Sequence, residues 1–237
     1  GLLAIYRSTL EHVDEDQALE LLLKAAAIER DQLGRPDDAV GTFEQALAQD
    51  ADNEVALRAL VDLHTTLGNA EALVGALRRL AEVTLDFEER FDLLKLVAQV
   101  QEQQLEDPIA AVETWTLVLE DRETDTDALD NLERLHESRS DWEALVELLE
   151  VRIRVQPEDG SALNLRIGDL YRDRLEQVED AIARYEDVLS YEPSNGDALA
   201  RLEALYGAQE NWEQLVEVYE RSFDAAANDD DRVKLCE

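Results

Sequence analysis

The chain has 237 residues, with 57 acidic and 22 basic side chains and a formal net charge of −35. A negative charge of this size repels a phosphate backbone, so the composition argues against nucleic acid as a partner. The longest run without a charged residue, 63–70, is far shorter than the roughly 20 apolar residues of a membrane-spanning helix. The single cysteine, Cys236, excludes a disulfide within the chain and favours a cytoplasmic location over an oxidising compartment.

The composition also predicts a helical protein. Hydrophobic residues make up 45% of the chain and charged residues 33%, whereas aromatic residues make up only 5%. A sequence rich in alanine, leucine and glutamate favours thin helical layers over a thick β core.

In chain order, the hydrophobic pattern predicts an N-terminal helical segment and twelve further helices. Residues 1–12 align with 215–223, so we interpret them as the second helix of a hairpin whose first helix is missing. The twelve helices that follow are predicted at 16–33, 36–49, 53–67, 70–84, 88–105, 107–120, 125–138, 140–155, 160–175, 177–190, 195–208 and 210–225.

Local signals set several of these boundaries. Gly34 is expected to end the first long helix and Pro36 to open the next one. The dipeptide Gly68-Asn69 supplies a turn with positive φ. Asp141 is predicted to cap the N-terminus of the helix that follows it.

The chain repeats itself with a long period. Seven sets of residues recur with spacings of 72 and then 70 residues, which is hard to obtain by chance. The sets are Leu33, Leu105 and Leu175; Ala39, Ala111 and Ala181; Phe43, Trp115 and Tyr185; Leu47, Leu119 and Leu189; Leu57, Leu129 and Leu199; His64, His136 and Tyr206; and Leu73, Leu145 and Leu215. Each unit of about 71 residues holds two helical hairpins, because Ala181 and Leu215 lie 34 residues apart.

We interpret the chain as one repeat array. Its parts are a trailing helix of a preceding repeat (1–15), three units (16–86, 87–158 and 159–228) and the start of a further repeat (229–237). Leu235 is expected to take the place that Leu163 takes one unit earlier. Both ends interrupt a repeat, so we expect the chain to be an internal piece of a longer solenoid.

The clearest copy of the repeat lies in 163–221. Its landmarks, in order, are Ile167, Gly168, Tyr171, Ala181, Tyr185 and Pro193. This pattern resembles the tetratricopeptide repeat, whose signature runs W-x2-L-G-x2-Y, A-x3-F and P. Gly168 and Ala181 are expected to let two helices approach closely, and Tyr185 to fill the adjoining space. The resemblance implies an all-α fold, a right-handed α-α superhelix (solenoid) of about six helical hairpins.

Histidine and tryptophan residues are the first candidates for a chemical site. His64 and His136 occupy the slot that Tyr206 fills in the third unit, which favours packing over metal binding or catalysis. The tryptophans recur in repeat positions as well, which favours core packing over a platform that stacks bases or a proline-rich peptide. They are Trp115, Trp142 and Trp212.

Other motifs point away from catalysis. No two glycines are closer than seven residues, which excludes the glycine-rich phosphate-binding motifs, and neither HExxH nor CxxC occurs. The acidic runs 121–127 and 228–231 lack the glycine and the closing glutamate of a calcium loop, so we interpret them as solvated turns. We therefore predict no enzymatic activity, no cofactor and no metal.

The resemblance also implies a binding groove lined by the first helix of each hairpin. The positions that correspond to it here are Arg58, Asp62, Thr65, Lys95, Gln99, Glu102, Asp130, Arg134, Glu137, Asp169, Arg172, Asp173, Ala200 and Ala204. The paired lysine and asparagine with which some family members clamp a C-terminal carboxylate are absent from these positions. The small residues of the third unit, such as Ala200 and Ala204, offer room for a bulky side chain or a helix.

These patterns predict a non-catalytic protein–protein interaction scaffold that binds a peptide or a helix in the groove. The acidity favours a basic partner. Two alternatives stay open at this point. One is a structural spacer or a self-assembling solenoid, and the other is a regulatory arm of an enzyme whose catalytic domain lies outside this chain.

Overall fold

In the computed structural model, which describes residues 2–225, this part of the chain is helical throughout and contains no strand. The helices are α1 (Leu2–Thr9), α2 (Glu15–Asp31), α3 (Pro36–Gln49), α4 (Glu54–Leu67), α5 (Ala70–Val83), α6 (Phe87–Gln103), α7 (Pro108–Asp121), α8 (Thr126–Arg139), α9 (Trp142–Val155), α10 (Gly160–Asp173), α11 (Val178–Tyr191), α12 (Gly196–Ala208) and α13 (Trp212–Ala225). We call α2, α4, α6, α8, α10 and α12 the first helices, and α3, α5, α7, α9, α11 and α13 the second helices. The predicted fold class, all-α with successive helical hairpins, is confirmed for these residues.

The predicted helix boundaries lie within two residues of the observed ones after residue 12. Pro36 and Pro108 each occupy the first position of a helix, where the missing N–H costs nothing. The helix α11 ends at Tyr191, two residues before Pro193. The N-terminal segment differs slightly, because α1 passes into a 3-10 turn over Leu10–His12.

Short polar side chains begin several of the helices. The side chains of Asp14, Asn53 and Asn195 each accept a backbone N–H from the first turn. The same role was predicted for Asp141, and that prediction is wrong. Its carboxylate makes no cap and instead contacts the guanidinium of Arg139 at 2.8 Å. Arg139 is the last residue of α8, and it binds the Asp141 carboxylate that the sequence pattern assigned to the helix cap.

Two turns recur in the array with left-handed backbone conformation. Gly34 (φ 62°) and Gly68 (φ 69°) adopt it without strain. Glu106 and Glu176 take the place of Gly34 one and two units later, with φ values of 52° and 56°. A side chain with a Cβ pays about 1 kcal/mol for this region, so packing of the hairpins imposes the turn even where no glycine supplies it.

Replacing one of these glutamates with glycine should therefore stabilise the protein. We expect Glu176→Gly to raise the free energy of unfolding by about 1 kcal/mol, measured by urea denaturation. Glu147→Gly is the matched control, because Glu147 is an exposed glutamate inside α9 where glycine should instead cost about 1 kcal/mol. Equal effects of the two substitutions would show that the turn stores no strain.

The chain divides into two compact parts, Gly1–Ala128 and Leu129–Glu237. In the N-terminal part, α2 to α7 pack successively against one another, and in the C-terminal part α9 to α13 do the same. The assignment of the repeat units and of a single array stays a prediction, and the start of a further repeat (229–237) lies outside the described residues.

The alanine and aromatic positions of the repeat match in burial as well as in sequence. Ala39, Ala111 and Ala181 are each completely buried. The aromatic residues four positions later are buried as well, and they are Phe43, Trp115 and Tyr185. These positions are where a small side chain lets two helices approach and a large one fills the neighbouring space.

Candidate protein-interaction face

The fourteen predicted groove residues all lie on first helices, namely α4, α6, α8, α10 and α12. Ten of them are exposed, and the other four are partly buried. The partly buried ones are Lys95, Glu102, Asp169 and Arg172. The ten exposed residues are polar or charged except for Ala200 and Ala204 on α12.

In the N-terminal part, charged side chains bridge one first helix to the next. The guanidinium of Arg58 on α4 lies 2.6 Å from the Glu89 carboxylate on α6. The ammonium of Lys95 on α6 lies 2.8 Å from the carboxylates of both Asp125 and Asp127, at the start of α8. These bridges hold Arg58 and Lys95 along the faces of neighbouring first helices.

The C-terminal part repeats the arrangement. Arg166 on α10 contacts Glu133 and Glu137 on α8, at 2.5 and 2.6 Å. Arg201 on α12 grips the Asp169 carboxylate on α10 with two N–H donors, at 2.9 and 3.1 Å. A fork of this kind fixes direction as well as distance, so the bridge between Arg201 and Asp169 sets the spacing of α10 and α12.

Asp169 has further contacts. The hydroxyl of Tyr185 donates to its carboxylate at 2.8 Å, and Arg172 lies 3.2 Å away on the same helix. Burial of the ring, together with this hydrogen bond, raises the pKa of Tyr185. Asp169 was predicted as a groove residue, and the structure shows that it also ties α10 to α11 and α12.

Carboxylates outnumber cations along this face. Each of the bridging cations contacts two carboxylates; these cations are Arg58, Lys95, Arg166 and Arg201. Burial works against the charge of Lys95, but hydrogen bonds to its two aspartates leave the pKa of Lys95 raised. The contact with Arg58 likewise lowers the pKa of Glu89. Both shifts favour the charged forms of Lys95 and Glu89, and the carboxylates of this face outnumber its cations.

Sequence reasoning missed the partners in these bridges. They are Glu89, Asp125, Glu133, Arg166 and Arg201. A signal existed, because the bridged residues of successive first helices are 29 to 33 residues apart and opposite in charge. That spacing is close to one hairpin length, which brings equivalent positions of two first helices side by side.

The histidines behave as predicted for packing residues. His64 is buried, and the side chain of His136 is largely buried. Burial lowers the pKa of His136, so its imidazole is neutral at pH 7. Among residues 2–225, no group of three or more His, Cys, Asp or Glu side chains is arranged to hold a metal ion.

The three tryptophans differ from one another. Trp115 is buried, as predicted, and Trp142 is partly buried with the Arg174 guanidinium 5.2 Å from its ring centre. Trp212 is 63% exposed, so the prediction that it packs in the core is wrong. Trp142, the equivalent residue of the earlier repeat, packs against the next helix, α10. No described residue follows α13 to cover Trp212.

The described helices place this chain in the class of all-α helical-repeat proteins, with charged and small side chains along the first helices. A family model described as Tetratricopeptide repeat matches residues 128–161 and 198–233. These two stretches are similar to the tetratricopeptide repeat, a repeat that generally mediates protein–protein interaction. None of the described helices is long and apolar enough to cross a membrane.

Solved structures similar to this chain include several repeat proteins. The crystal structure of MamA protein has 15% identity and a TM-score of 0.40, with 74% of this chain and 92% of that chain covered. YrrB, described as a TPR protein with an unusual peptide-binding site, has 15% identity and a TM-score of 0.39, with coverage of 82% and 96%. A tetratricopeptide repeat protein from Parabacteroides merdae has 18% identity and a TM-score of 0.36, with coverage of 99% and 95%. Comparison with curated protein sequences finds no match.

Proposed function

We propose that this chain is a non-catalytic scaffold that binds a basic peptide or helix along the face of its first helices. The observation that carries the proposal is the set of bridges between successive first helices. These bridges keep the predicted groove residues on neighbouring elements in register, so a partner would meet a preformed surface. Preformed surfaces bind with a smaller entropic cost than surfaces that must order on binding.

The charge of this face supports the choice of partner. Each bridging cation is already held by two carboxylates, so an acidic peptide would have to displace one of them. A lysine or arginine of the partner would instead meet carboxylates such as that of Asp62, which is exposed. Such charges mainly speed association and select against wrong partners.

Side-chain size supports the choice of an anchor point. Ala200 and Ala204 are exposed on α12, one helical turn apart, and no large side chain stands at either position. Beside them the Arg201 fork holds α12 to α10. A side chain or a helix of the partner could approach the backbone there more closely than elsewhere on the face.

Filling that space should abolish binding without unfolding the protein. We expect Ala204→Arg to weaken binding of a basic peptide at least about tenfold, because the long side chain occupies the surface and repels the partner's charge. The peptide would be the strongest binder selected from an immobilised array of lysine- and arginine-rich peptides, titrated by isothermal calorimetry. Ala183→Arg is the matched control, since Ala183 is an exposed alanine within the second helix α11.

Binding that survives Ala204→Arg, or that falls equally with Ala183→Arg, would contradict the groove. Binding to the wild type should also weaken as salt is raised, because exposed charges are screened within about 10 Å at 0.1 M salt. If no basic peptide binds and sedimentation shows concentration-dependent oligomers, a self-assembling solenoid becomes the better explanation.

A further inference from the structure

A hollow of about 460 Å³ lies between α3, α4 and α5, within the N-terminal part of the chain. Five of the residues that line it are buried and form its floor, namely Leu47, Leu57, Leu60, His64 and Ala76. The exposed ones form its rim, namely Glu44, Ala48, Ala72 and Arg79. Hollows of this size, with a mostly apolar lining and a few polar groups, are typical of small-molecule sites. None of the fourteen predicted groove residues lines it.

The floor of the hollow contains one polar residue, His64. Its side chain is buried, and its Nδ1 has no hydrogen-bond partner among residues 2–225. Buried polar atoms are usually paired, so the protein's own groups do not fully satisfy this part of the floor.

The third unit shows why the first one has this hollow. The residues equivalent to His64 and Ala76 are Tyr206 and Val218, which lie buried in one apolar cluster. At both positions the first unit has the smaller side chain. Because protein interiors are close-packed, the smaller side chains of the first unit leave space that the tyrosine and the valine fill in the third.

The charged residues of the rim have counterparts in the third unit as well. Glu186 on α11 and Arg221 on α13 are equivalent to Glu44 and Arg79, and they form an ion pair at 2.7 Å. Among residues 2–225, neither Glu44 nor Arg79 has an opposite charge within 4 Å, although one N–H of Arg79 donates to the Ala51 carbonyl at 2.7 Å. A guanidinium has five N–H donors, so Arg79 keeps donors for another acceptor. The rim therefore offers one cation and one anion that do not neutralise each other.

We propose that the hollow binds a free α-amino acid with an apolar side chain. The apolar side chain fills the floor beside Ala76, the α-carboxylate accepts N–H groups of Arg79, and the α-ammonium donates to the carboxylate of Glu44. Arginine is well suited to a carboxylate, because its N–H groups can bind both oxygens. A zwitterion carries no net charge, so the net charge of −35 does not repel it as it would an acidic ligand. The site uses no groove residue, so it does not depend on the function proposed above.

Calorimetric titration of the full chain with L-phenylalanine tests the site. We expect saturable binding that Ala76→Val, which introduces the valine of the third unit, weakens at least about tenfold. Ala183→Val is the matched control, since Ala183 is an exposed alanine on α11. Arg79→Gln should also weaken binding at least about tenfold, whereas Arg221→Gln, the same change at the equivalent position, should leave it unchanged.

Two analogues of phenylalanine assign the charges of the rim. Phenethylamine lacks the carboxylate and phenylpropionate lacks the ammonium, so each should bind at least about tenfold more weakly than phenylalanine. Arg79→Gln should not weaken phenethylamine binding further, because the group that Arg79 holds is already absent. For the same reason, Glu44→Gln should not weaken phenylpropionate binding further.

Several results would overturn the proposal. One is the absence of saturable phenylalanine binding, and another is binding that Ala76→Val leaves unchanged. Analogues that bind as tightly as phenylalanine would show that the rim does not recognise a zwitterion. Equal effects of Arg79→Gln and Arg221→Gln would place the ligand outside this hollow. Circular dichroism of each variant establishes that the helices are intact.

Discussion

The Gly168→Ala substitution should lower the free energy of unfolding by about 3 kcal/mol. A Cβ at this position would lie 2.4 Å from Cε1 of Tyr185 and within 3 Å of two further ring atoms. The ring cannot move away easily, because it is completely buried and its hydroxyl is bonded to Asp169. Overpacking of a close-packed core costs about 1–3 kcal/mol, and a restrained ring places this site at the upper end.

Urea denaturation of matched variants checks this expectation. Gly207→Ala is the control, because a Cβ at Gly207 of α12 meets nothing within 4 Å. Alanine there should be neutral or stabilise by up to about 1 kcal/mol. Adding Tyr185→Phe to Gly168→Ala should recover part of the loss, since the freed ring can shift. A midpoint for Gly168→Ala that equals the wild-type midpoint would refute the close approach of α10 and α11.

The Asp169→Ala substitution should cost about 2–3 kcal/mol. It removes the fork to Arg201 and leaves the buried hydroxyl of Tyr185 without its acceptor. Hydrogen bonds to a charged group contribute about 1.5–3 kcal/mol each, but Asp169 and Arg201 are partly exposed, so the Arg201 contact counts for less. Most of the loss is expected from the orphaned hydroxyl.

A double-mutant cycle separates the two contributions. Tyr185→Phe in the Asp169→Ala background should restore stability, because no buried hydroxyl is then left unsatisfied. Asp173→Ala is the control on the same helix, since Asp173 is exposed and its pKa is lowered chiefly by the neighbouring Arg172. Its substitution should change stability little. If Asp169→Ala and Asp173→Ala behave alike, Asp169 does not tie the three helices together.

Most of the fold could be predicted from the sequence, because a repeat array records its packing rules several times. The same close approach of two helices is marked by an alanine in each unit, at Ala39, Ala111 and Ala181. The alignment of the repeats therefore does not depend on any single residue. Prolines and left-handed glycines mark helix ends through local backbone chemistry, which needs no knowledge of the tertiary structure. Glu106 and Glu176 show the limit of that rule, since packing imposes the same turn on residues that do not favour it.

The candidate faces could be predicted only in outline. The helical period placed Arg58, Lys95 and Asp169 on the first helices, but it could not say which charges meet, because a bridge joins residues on different helices. Asp141 fails as a cap for the same reason, since a nearby arginine competes for its carboxylate.

The sequence by itself determined the secondary structure, the repeat length and the small-to-large packing positions, because these depend on contacts that recur in every hairpin. Only the tertiary structure decided which carboxylate holds which cation and whether a given repeat position is covered. Trp142 and Trp212 occupy the same slot in the pattern, yet one lies against α10 and the other is exposed. The burial of a side chain depends on which helix packs against it, and the position of the residue within its repeat does not determine that.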